Sequence, residues 1–245
     1  MPATIIEPER HTPVIAEADV VILGGGPAGI AAAASAARAG ASTILLERYG
    51  FLGGMGTAAM VTNFCGLHAD INGSIQQVVH GVVDDILDRL ARLDGLREPH
   101  IIQGPDGRRS GAQAYDTAAY KLAADDVLTG AGVDLRFHVQ AVGAVMDGER
   151  IDAVLVETKS GRGAIRGRAF IDCSGDADLA TWAGAPYALG GDDGFLAFPT
   201  LMFRLGNVDD ARADQEGRPK LRELIAEANA SGDYSLPRKA GVIRG

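Results

Sequence analysis

The pattern of apolar and polar residues near the amino end predicts a strand, a helix and a second strand. Residues 18–23 form an apolar run, and residues 30–38 are mostly alanine and stop shortly before Gly40. Residues 42–46 are rich in strand-forming side chains. A short apolar run is typical of a buried strand, and a glycine commonly follows the end of a helix. The order of these segments predicts a βαβ unit with two parallel strands.

Helical spacing appears again after a glycine-rich stretch that ends at Gly73. Apolar residues then follow in steps of three or four, at Ile75, Val79, Val82, Ile86, Leu90 and Leu93. This spacing predicts one amphipathic helix with acidic residues on its opposite face. Residues 95–112 are polar and predict a loop, and residues 113–128 predict a second helix that ends before Gly130.

Short apolar runs in the middle of the chain predict further strands. One parallel strand is expected at residues 133–137, and three shorter strands are expected at residues 139–146, 151–157 and 164–171. Asp147-Gly148 and Ser160-Gly161 provide the turns between the last three, which makes them an antiparallel meander. A simple nicotinamide-binding Rossmann fold does not contain such a meander. We therefore predict an α/β fold with a Rossmann-like, FAD-binding parallel sheet and a three-stranded antiparallel β-meander insertion.

A glycine-rich turn joins the first predicted strand to the first predicted helix. Its residues are Gly24, Gly25, Gly26, Pro27, Ala28 and Gly29. In a dinucleotide cradle, the first glycine makes the tight turn, the second lets the backbone approach a pyrophosphate, and the third lets the helix lie close to the sheet. The free N–H groups and the dipole at the start of the helix favour the negative charge of the phosphates.

An acidic residue follows the second predicted strand. Glu47 lies 23 residues after Gly24, at the place where this strand ends. A carboxylate at this position accepts hydrogen bonds from a ribose hydroxyl of a bound dinucleotide. The strand, glycine turn, helix and acid together predict a nucleotide-binding βαβ unit.

Composition and charge narrow the class of protein. The chain has 245 residues, of which 47% are hydrophobic, so it can form a substantial core. A net charge of −9 argues against a nucleic-acid partner. No apolar run reaches the about 20 residues of a membrane span, and the amino end lacks the pattern of a signal peptide. The two cysteines, Cys65 and Cys173, fit reduced thiols, so we expect a cytoplasmic protein.

Two further motifs carry a resemblance to a known group of proteins. One is Glu47 followed after four residues by Leu52-Gly53-Gly54, and the other is the late Asp172-x-x-Gly175-Asp176. With these motifs, the chain resembles the FAD-dependent oxidoreductases of the glutathione-reductase-like class, and within them a bacterial family that has both. The resemblance covers most of residues 18–205 and implies FAD as the cofactor.

The resemblance also implies a role for each matching residue. The implied cofactor contacts are Gly24, Gly26, Pro27, Ala28, Gly29, Glu47, Arg48, Gly53, Gly54, Thr57, Ala141 and Gly175. Among them, Gly53, Gly54 and Thr57 would pass near the phosphates and the ribityl chain. Arg48 would contact the edge of the ribose or the adenine. Ala141 would offer backbone atoms to the adenine, and Gly175 would approach the cofactor behind the sheet.

The chain departs from this family in its second half. Similar flavoenzymes carry a later glycine–acid motif that holds the ribityl chain and the flavin ring, and no such motif follows Asp178. We therefore expect carboxy-terminal material or a partner chain to complete the site, and an oligomer is a possible form. A cluster of apolar residues is the expected interface; its members are Phe195, Leu196, Phe198, Leu201 and Phe203.

The expected domains follow from these segments. Residues 1–17 contain three prolines and predict an irregular arm. Residues 18–185 would form the FAD-binding domain, with residues 66–112 partly on the substrate side. Residues 186–245 would form an incomplete substrate or cap domain, in which residues 211–230 predict a charged helix.

The leading functional hypothesis is an FAD-dependent oxidoreductase that transfers a hydride between a small polar organic molecule and the flavin. His68 follows the second glycine loop and is the candidate acid or base, because a neutral imidazole exchanges protons near working pH. The histidines lack the spacing of a metal site, so we expect no metal. An NAD(P)-dependent dehydrogenase and a non-catalytic nucleotide-binding subunit stay open as alternatives. Nothing in the sequence names the substrate.

Overall fold

The computed structural model describes residues 4–103, 109–197 and 199–236. The strands are β1 Val14–Leu23, β2 Thr43–Leu46, β3 Asn63–Cys65, β4 His68–Ile71, β5 Ser74–Gln77, β6 His100–Gln103, β7 Arg109–Ala114, β8 Asp134–Arg136, β9 Gln140–Asp147, β10 Arg150–Thr158 and β11 Gly161–Asp172. The helices are α1 Pro27–Arg38, α2 Val82–Arg92, α3 Thr117–Gly130, α4 Asp178–Trp182, α5 Asp210–Arg212 and α6 Arg218–Ser231. Gly54–Gly56 forms a 3-10 turn, and Ala213–Gly217 forms a π-helical turn.

The largest sheet confirms the predicted α/β class. Its six strands lie in the order β8-β2-β1-β11-β10-β9. Strands β8, β2, β1 and β11 are parallel to one another, whereas β10 and β9 continue the sheet in antiparallel fashion. The predicted strand at residues 18–23 begins earlier, at Val14, inside the segment that was expected to be an irregular arm. It extends because Val14 pairs with Ala164 of β11.

The meander differs from its prediction in one respect. We expected three strands inserted before the next core strand, but the third of them, β11, is itself the core strand beside β1. This strand has 12 residues, and Ala164 pairs with β1 on one side and with β10 on the other. A strand long enough to pair on both sides joins the meander directly to the parallel sheet.

The sheet has two apolar faces because the side chains of a strand alternate in direction. On one face, Ile22 and Leu45 pack with helices α1 and α3 in a buried cluster. On the other face, Val21 and Ile44 pack with residues of the meander and with Leu179 of α4. The ends of the parallel strands are therefore fixed between two packed layers, and the glycine loops lie at these ends.

The helix predicted from the spacing of residues 75–93 is wrong in its first half. Strands β4 and β5 form a hairpin there, and α2 begins only at Val82. Asn72 and Gly73 connect the two strands with φ angles of 54° and 83°. Two central residues with positive φ define the tight hairpin turn that Asn-Gly favours. The helical spacing of the apolar residues after this turn led to the prediction of a helix instead of a hairpin.

The loop predicted at residues 95–112 is also wrong. Strands β6 and β7 lie there and pair with each other, and β7 pairs with β3 as well. The second predicted helix, α3, starts at Thr117 rather than at residue 113, because β7 occupies the residues before it. Asp116 caps the helix, and its side chain accepts hydrogen bonds from the amides of Ala118 and Ala119 at 2.8 and 2.9 Å.

The chain divides into two compact units, residues 1–202 and residues 203–245. The described part of the second unit contains α5, the π-helical turn and α6, which confirms the helix predicted at residues 211–230. Leu201 in the first unit is 87% exposed and Phe203 in the second is 70% exposed. Phe198, also predicted for the apolar interface, lies outside the described residues. Among the described helices, none is long and apolar enough to cross a bilayer.

Candidate cofactor site

Two glycines of the first loop are required by the protein's own packing. Gly24 has a φ of 98°, and a Cβ atom on it would lie 2.3 Å from the carbonyl oxygen of Cys173. A Cβ atom on Gly29 would lie 1.8 Å from the carbonyl oxygen of Gly24. Both distances are far shorter than van der Waals contact. These two glycines let strand β1, the loop and helix α1 come together closely.

Gly26 differs from the other two glycines because space lies in front of it. Its φ and ψ of −73° and −177° are open to any residue, and the nearest atom to an added Cβ is the Cα of Gly54, at 3.8 Å. It precedes helix α1, which begins with Pro27 and has no side-chain cap. The amides in the first turn of a helix lack partners within the helix and attract anions. The loop therefore leaves room and N–H donors for a phosphate.

The second glycine loop packs directly on the first. The amide of Gly53 donates a hydrogen bond of 2.8 Å to the carbonyl oxygen of Gly25. A Cβ atom on Gly54 would lie 2.8 Å from the Cα of Gly26, so the two loops meet backbone to backbone. Thr57 is buried, and its hydroxyl donates to the carbonyl oxygen of Leu52 at 2.7 Å. In this geometry the Thr57 hydroxyl holds the second loop together.

Glu47 connects the end of strand β2 to the first glycine loop. Its side chain is buried, one carboxylate oxygen accepts from the amide of Gly25 at 2.7 Å, and the other accepts from the amide of Tyr49 at 2.8 Å. A carboxylate oxygen has two lone pairs, so each oxygen keeps one acceptor position for a further donor. The carboxylate thus both orders the loop and offers acceptors for ribose hydroxyls.

The Arg48 guanidinium lies over a neighbouring aromatic ring. It is exposed, and its guanidinium carbon lies 4.9 Å from the centre of the Tyr49 ring. Tyr49 stacks on Phe51 with ring centres 5.6 Å apart, and the Lys121 ammonium lies 3.6 Å from the centre of the Phe51 ring. Two cations and two rings therefore form a surface beside the end of strand β2.

The segment that leads to Ala141 runs beside Glu47. The amide of Val139 donates to the carbonyl oxygen of Glu47 at 3.1 Å, and the amide of His138 donates to that of Tyr49 at 3.2 Å. Ala141 itself is buried and pairs with Val156 of β10. The fold thus brings Val139, which is 92 positions after Glu47 in the sequence, to the predicted ribose end of the site.

The late acidic motif forms a loop beside the first turn of α1. This loop and the helix border an open cavity of about 450 Å³. The lining residues are Ala28, Asp172, Cys173, Gly175, Ala177 and Ala180. Gly175 has a φ of 96°, and a Cβ atom on it would meet no atom within 4 Å. The structure therefore places Gly175 and Ala28, two predicted contact residues, at the same cavity.

Asp172 fixes this loop through its carboxylate. One oxygen accepts from the Ser174 hydroxyl at 2.6 Å and from the Ser174 amide at 3.0 Å, and the other accepts from the Ala180 amide at 2.9 Å. Burial raises the pKa of Asp172, but the hydrogen bonds from Ser174 and Ala180 outweigh burial and lower the pKa below its usual value. The carboxylate is therefore ionised at neutral pH and orders residues 172–180.

Replacing Asp172 with asparagine is expected to lower the free energy of unfolding at pH 7 by about 1–2 kcal/mol, because charge-assisted hydrogen bonds become neutral or are lost. The lowered pKa of Asp172 means that its contribution is complete above the pKa of the unfolded state, near 3.8, and disappears as the pH falls through the lower, folded-state pKa. Urea unfolding at pH 7 and between about pH 3 and 5 measures the difference.

The matched control for this prediction is Asp176→Asn. Asp176 is exposed and lies four residues away in the same loop. Its substitution is expected to change the free energy of unfolding by less than about 0.5 kcal/mol. An equal effect of both substitutions, or an effect of Asp172→Asn that does not become smaller between pH 7 and pH 3, would contradict the assigned role of the Asp172 carboxylate.

His68 lies on the small hairpin rather than in either glycine loop. It is the first residue of β4 and is buried, and its Nδ1 atom has no hydrogen-bond partner among the described residues. A Cβ atom on Gly111 of β7 would lie 2.2 Å from the carbonyl oxygen of His68, so the hairpin packs closely on β7. The structure gives no direct contact between His68 and the glycine loops. The imidazole thus has one buried nitrogen without a hydrogen-bond partner among the described residues.

Two residues that position the loops were not assigned roles from the sequence. Asp172 belongs to the late motif, but its contacts with Ser174 and Ala180 depend on the folded loop. Tyr115 carries no motif at all, yet its hydroxyl contacts the carbonyl oxygens of Gly56 and Val61. The part of the chain that the structure describes contains no group of three or more His, Cys, Asp or Glu side chains that could hold a metal ion.

The fold and the site together define a Rossmann-like protein that binds a dinucleotide. A model of the family described as FAD-dependent oxidoreductase matches residues 19–244. The chain belongs to this family, and its cofactor is FAD. The glycine loops fit this cofactor, because Gly26 leaves space for a pyrophosphate and Glu47 offers acceptors beside it.

One solved structure supports the same fold. A geranylgeranyl bacteriochlorophyll reductase-like protein from Thermoplasma acidophilum is 18% identical, with a TM-score of 0.50 over 74% of this chain and 44% of that one. THI4 from Thermovibrio ammonificans is 18% identical, with a TM-score of 0.46 over 68% of this chain and 61% of that one. The chain thus spans less than two thirds of either protein. No curated protein matches the sequence.

Proposed function

We propose that the chain holds the adenosine and pyrophosphate half of FAD in an enzyme that moves a hydride between a small polar organic molecule and the flavin. The observation that carries the proposal is the space in front of Gly26. A Cβ atom on either of the other two glycines of the motif would clash with the protein's own carbonyl oxygens, whereas Gly26 faces open space beside the first turn of α1. A pyrophosphate fits such a place because it needs close backbone approach and N–H donors.

Each proposed contact follows from the geometry of the loops. The amides of Ala28 and Gly29 would donate to the pyrophosphate, and Gly54 would border it on the other side. Glu47 would accept hydrogen bonds from the adenosine ribose with the lone pairs that Gly25 and Tyr49 leave available. The bound FAD supplies the redox chemistry, and the protein orients it.

His68 is the proposed acid or base. Its Nδ1 atom is buried and has no partner among the described residues, so it would accept a proton from a substrate hydroxyl or amine. The β4-β5 hairpin carries His68 and packs on β7 at Gly111. This contact fixes the backbone of His68 against the three-stranded sheet that contains β7. We further infer that the enzyme belongs to the glutathione-reductase-like class and acts in the cytoplasm.

The flavin ring requires contacts beyond the adenosine half of the site. We propose that a further segment or a partner chain supplies them, because no second glycine–acid motif follows Asp178. Exposed apolar side chains such as Leu196 and Leu201 support this proposal, since large exposed apolar groups commonly mark interfaces. The chain would then bind mainly the part of FAD that it shares with ADP-ribose.

A titration of the purified chain with FAD, ADP-ribose and NADP⁺ tests the proposal. FAD is expected to bind, and ADP-ribose is expected to compete with a Kd within about tenfold of that of FAD. NADP⁺ is expected to bind at least about tenfold more weakly, because the Glu47 carboxylate repels a 2′-phosphate. No competition by ADP-ribose would refute the half-site, and tighter binding of NADP⁺ would favour a nicotinamide-dependent dehydrogenase.

A further inference from the structure

Tyr115 links the three-stranded sheet β3-β7-β6 to the second glycine loop. It follows β7 directly and is buried, and its amide donates to the carbonyl oxygen of Thr62 at 3.1 Å. Its hydroxyl lies 3.1 Å from the carbonyl oxygen of Gly56 and is also hydrogen-bonded to the carbonyl oxygen of Val61. A hydroxyl has a single hydrogen, so the two carbonyls share this donor. One side chain therefore holds both ends of residues 56–61.

Residues around Tyr115 leave the loop little freedom to move. The rings of Phe64 and Tyr120 lie 4.2 and 5.0 Å from the Tyr115 ring, measured between ring centres. A Cβ atom on Gly56 would lie 2.7 Å from the Tyr115 hydroxyl oxygen and 2.6 Å from a carbon of the Tyr120 ring. The 3-10 turn of the loop thus rests on an aromatic cluster of Phe64, Tyr115 and Tyr120.

The opposite end of the same loop reaches the pyrophosphate cradle. Gly53 donates its amide hydrogen to Gly25, and Gly54 lies against Gly26. The 3-10 turn Gly54–Gly56 and the residues up to Val61 connect these contacts to the two carbonyl oxygens that Tyr115 binds. A change in the position of Gly56 is therefore transmitted over a short, hydrogen-bonded turn to Gly54.

We infer that Tyr115 is a positioning residue for the cofactor: its hydroxyl fixes Gly53 and Gly54 at the distance from Gly26 that a pyrophosphate requires. This inference rests on the proposed function of the glycine loops. Burial, the neighbouring Tyr120 and Cys65 all raise the pKa of Tyr115 above its usual value, so the hydroxyl stays protonated and donates throughout the working pH range. The three-stranded sheet β3-β7-β6, on which the hairpin of the proposed acid or base His68 packs, is thereby tied to the cofactor loop.

The test compares Tyr115→Phe with Tyr120→Phe. Each substitution removes one hydroxyl oxygen from the same aromatic cluster, but the Tyr120 hydroxyl makes no hydrogen bond to residues 53–61 among the described residues. We expect Tyr115→Phe to raise the Kd for FAD and for ADP-ribose about tenfold, because two loop carbonyls lose their donor. We expect Tyr120→Phe to change either Kd by less than about twofold.

A second ligand separates positioning from general support of the fold. AMP carries the adenosine but no pyrophosphate, so its Kd should change less than about twofold in Tyr115→Phe. Equal weakening of AMP and ADP-ribose would show that Tyr115 only supports the fold, and unchanged FAD binding in Tyr115→Phe would also overturn the inference. If Gly26→Val loses FAD while Tyr115→Phe keeps it, the proposed function stands and the inference fails. If the unmodified chain binds neither FAD nor ADP-ribose, both are wrong.

Discussion

Replacing Gly26 with valine is expected to reduce FAD affinity by at least about 100-fold while the protein stays folded. The added Cβ atom has room in the protein, since its nearest neighbour is the Gly54 Cα at 3.8 Å. The φ of −73° at this position is open to valine as well. The branched side chain would instead fill the space in front of helix α1, where a pyrophosphate needs to contact the backbone. Titration with FAD, followed by fluorescence or visible absorbance, measures the loss.

Two further variants make this prediction specific. Gly130→Val adds the same side chain at a glycine of α3 that has no atom within 4 Å of an added Cβ, so FAD affinity should stay within about twofold. Gly29→Ala should lower the free energy of unfolding by about 3 kcal/mol, because its Cβ would lie 1.8 Å from the carbonyl oxygen of Gly24. We therefore expect the same motif to contain one glycine needed for binding and another needed for folding.

The result that would contradict this assignment is a Gly26→Val protein with an unchanged unfolding midpoint and an unchanged Kd for FAD. In that case the space in front of Gly26 would not hold the pyrophosphate. An unfolded Gly26→Val protein would contradict the packing argument, because the structure gives the added Cβ atom no close contact. Gly26→Ala, with a single added carbon, then measures binding alone and is expected to weaken FAD by about tenfold.

Replacing Glu47 with alanine is expected to impair both stability and cofactor binding. The buried carboxylate accepts hydrogen bonds from the amides of Gly25 and Tyr49, so its removal leaves two donors without partners. The free energy of unfolding of the apoprotein should fall by about 3 kcal/mol, since a charge-assisted hydrogen bond contributes about 1.5–3 kcal/mol. The loss of the ribose acceptor should weaken FAD binding by about 1–3 kcal/mol in addition.

Glu47→Gln separates the two effects. Glutamine has nearly the same shape but only one acceptor oxygen, so it satisfies one of the two amides and keeps no charge. We expect its stability to lie between that of the unmodified protein and that of Glu47→Ala, with NADP⁺ discrimination reduced. Chemical unfolding and ligand titration of the three proteins provide the measurements. Full FAD affinity in a folded Glu47→Ala protein would rule out the ribose contact.

The βαβ unit could be predicted from sequence because its determinants are local. The apolar strand, the small-residue helix and the turn of Gly24 and Gly26 are recognised from the apolar pattern and the backbone preferences of neighbouring residues. Glu47 follows the second strand directly, so its place at the strand end was fixed once the strand was recognised. The meander strands could be predicted as well, because Asp147-Gly148 and Ser160-Gly161 are typical turn sequences. In the structure, Gly148 and Gly161 have the positive φ that such turns require.

The small sheets were missed for a different reason. Ile75 and Val79 continue the helical spacing of α2, and this period outweighed the Asn72-Gly73 turn that forms the hairpin. Residues 95–112 were predicted to be a polar loop and residue 113 the start of a helix, but β7 is held by its pairing with both β3 and β6. Strands whose stability comes from partners distant in the chain leave only a weak local pattern.

The sequence by itself determined that a strand, a glycine turn and a helix precede an acid, because each of these features depends on the backbone preferences of neighbouring residues. Only the tertiary structure decided which glycines are enclosed by distant parts of the chain. A Cβ atom on Gly24 would meet the carbonyl oxygen of Cys173, 149 positions later in the sequence, whereas Gly26 faces open space. The structure also decided that Tyr115, 59 positions from Gly56, holds the second glycine loop, since long-range packing alone brings that hydroxyl to its carbonyl.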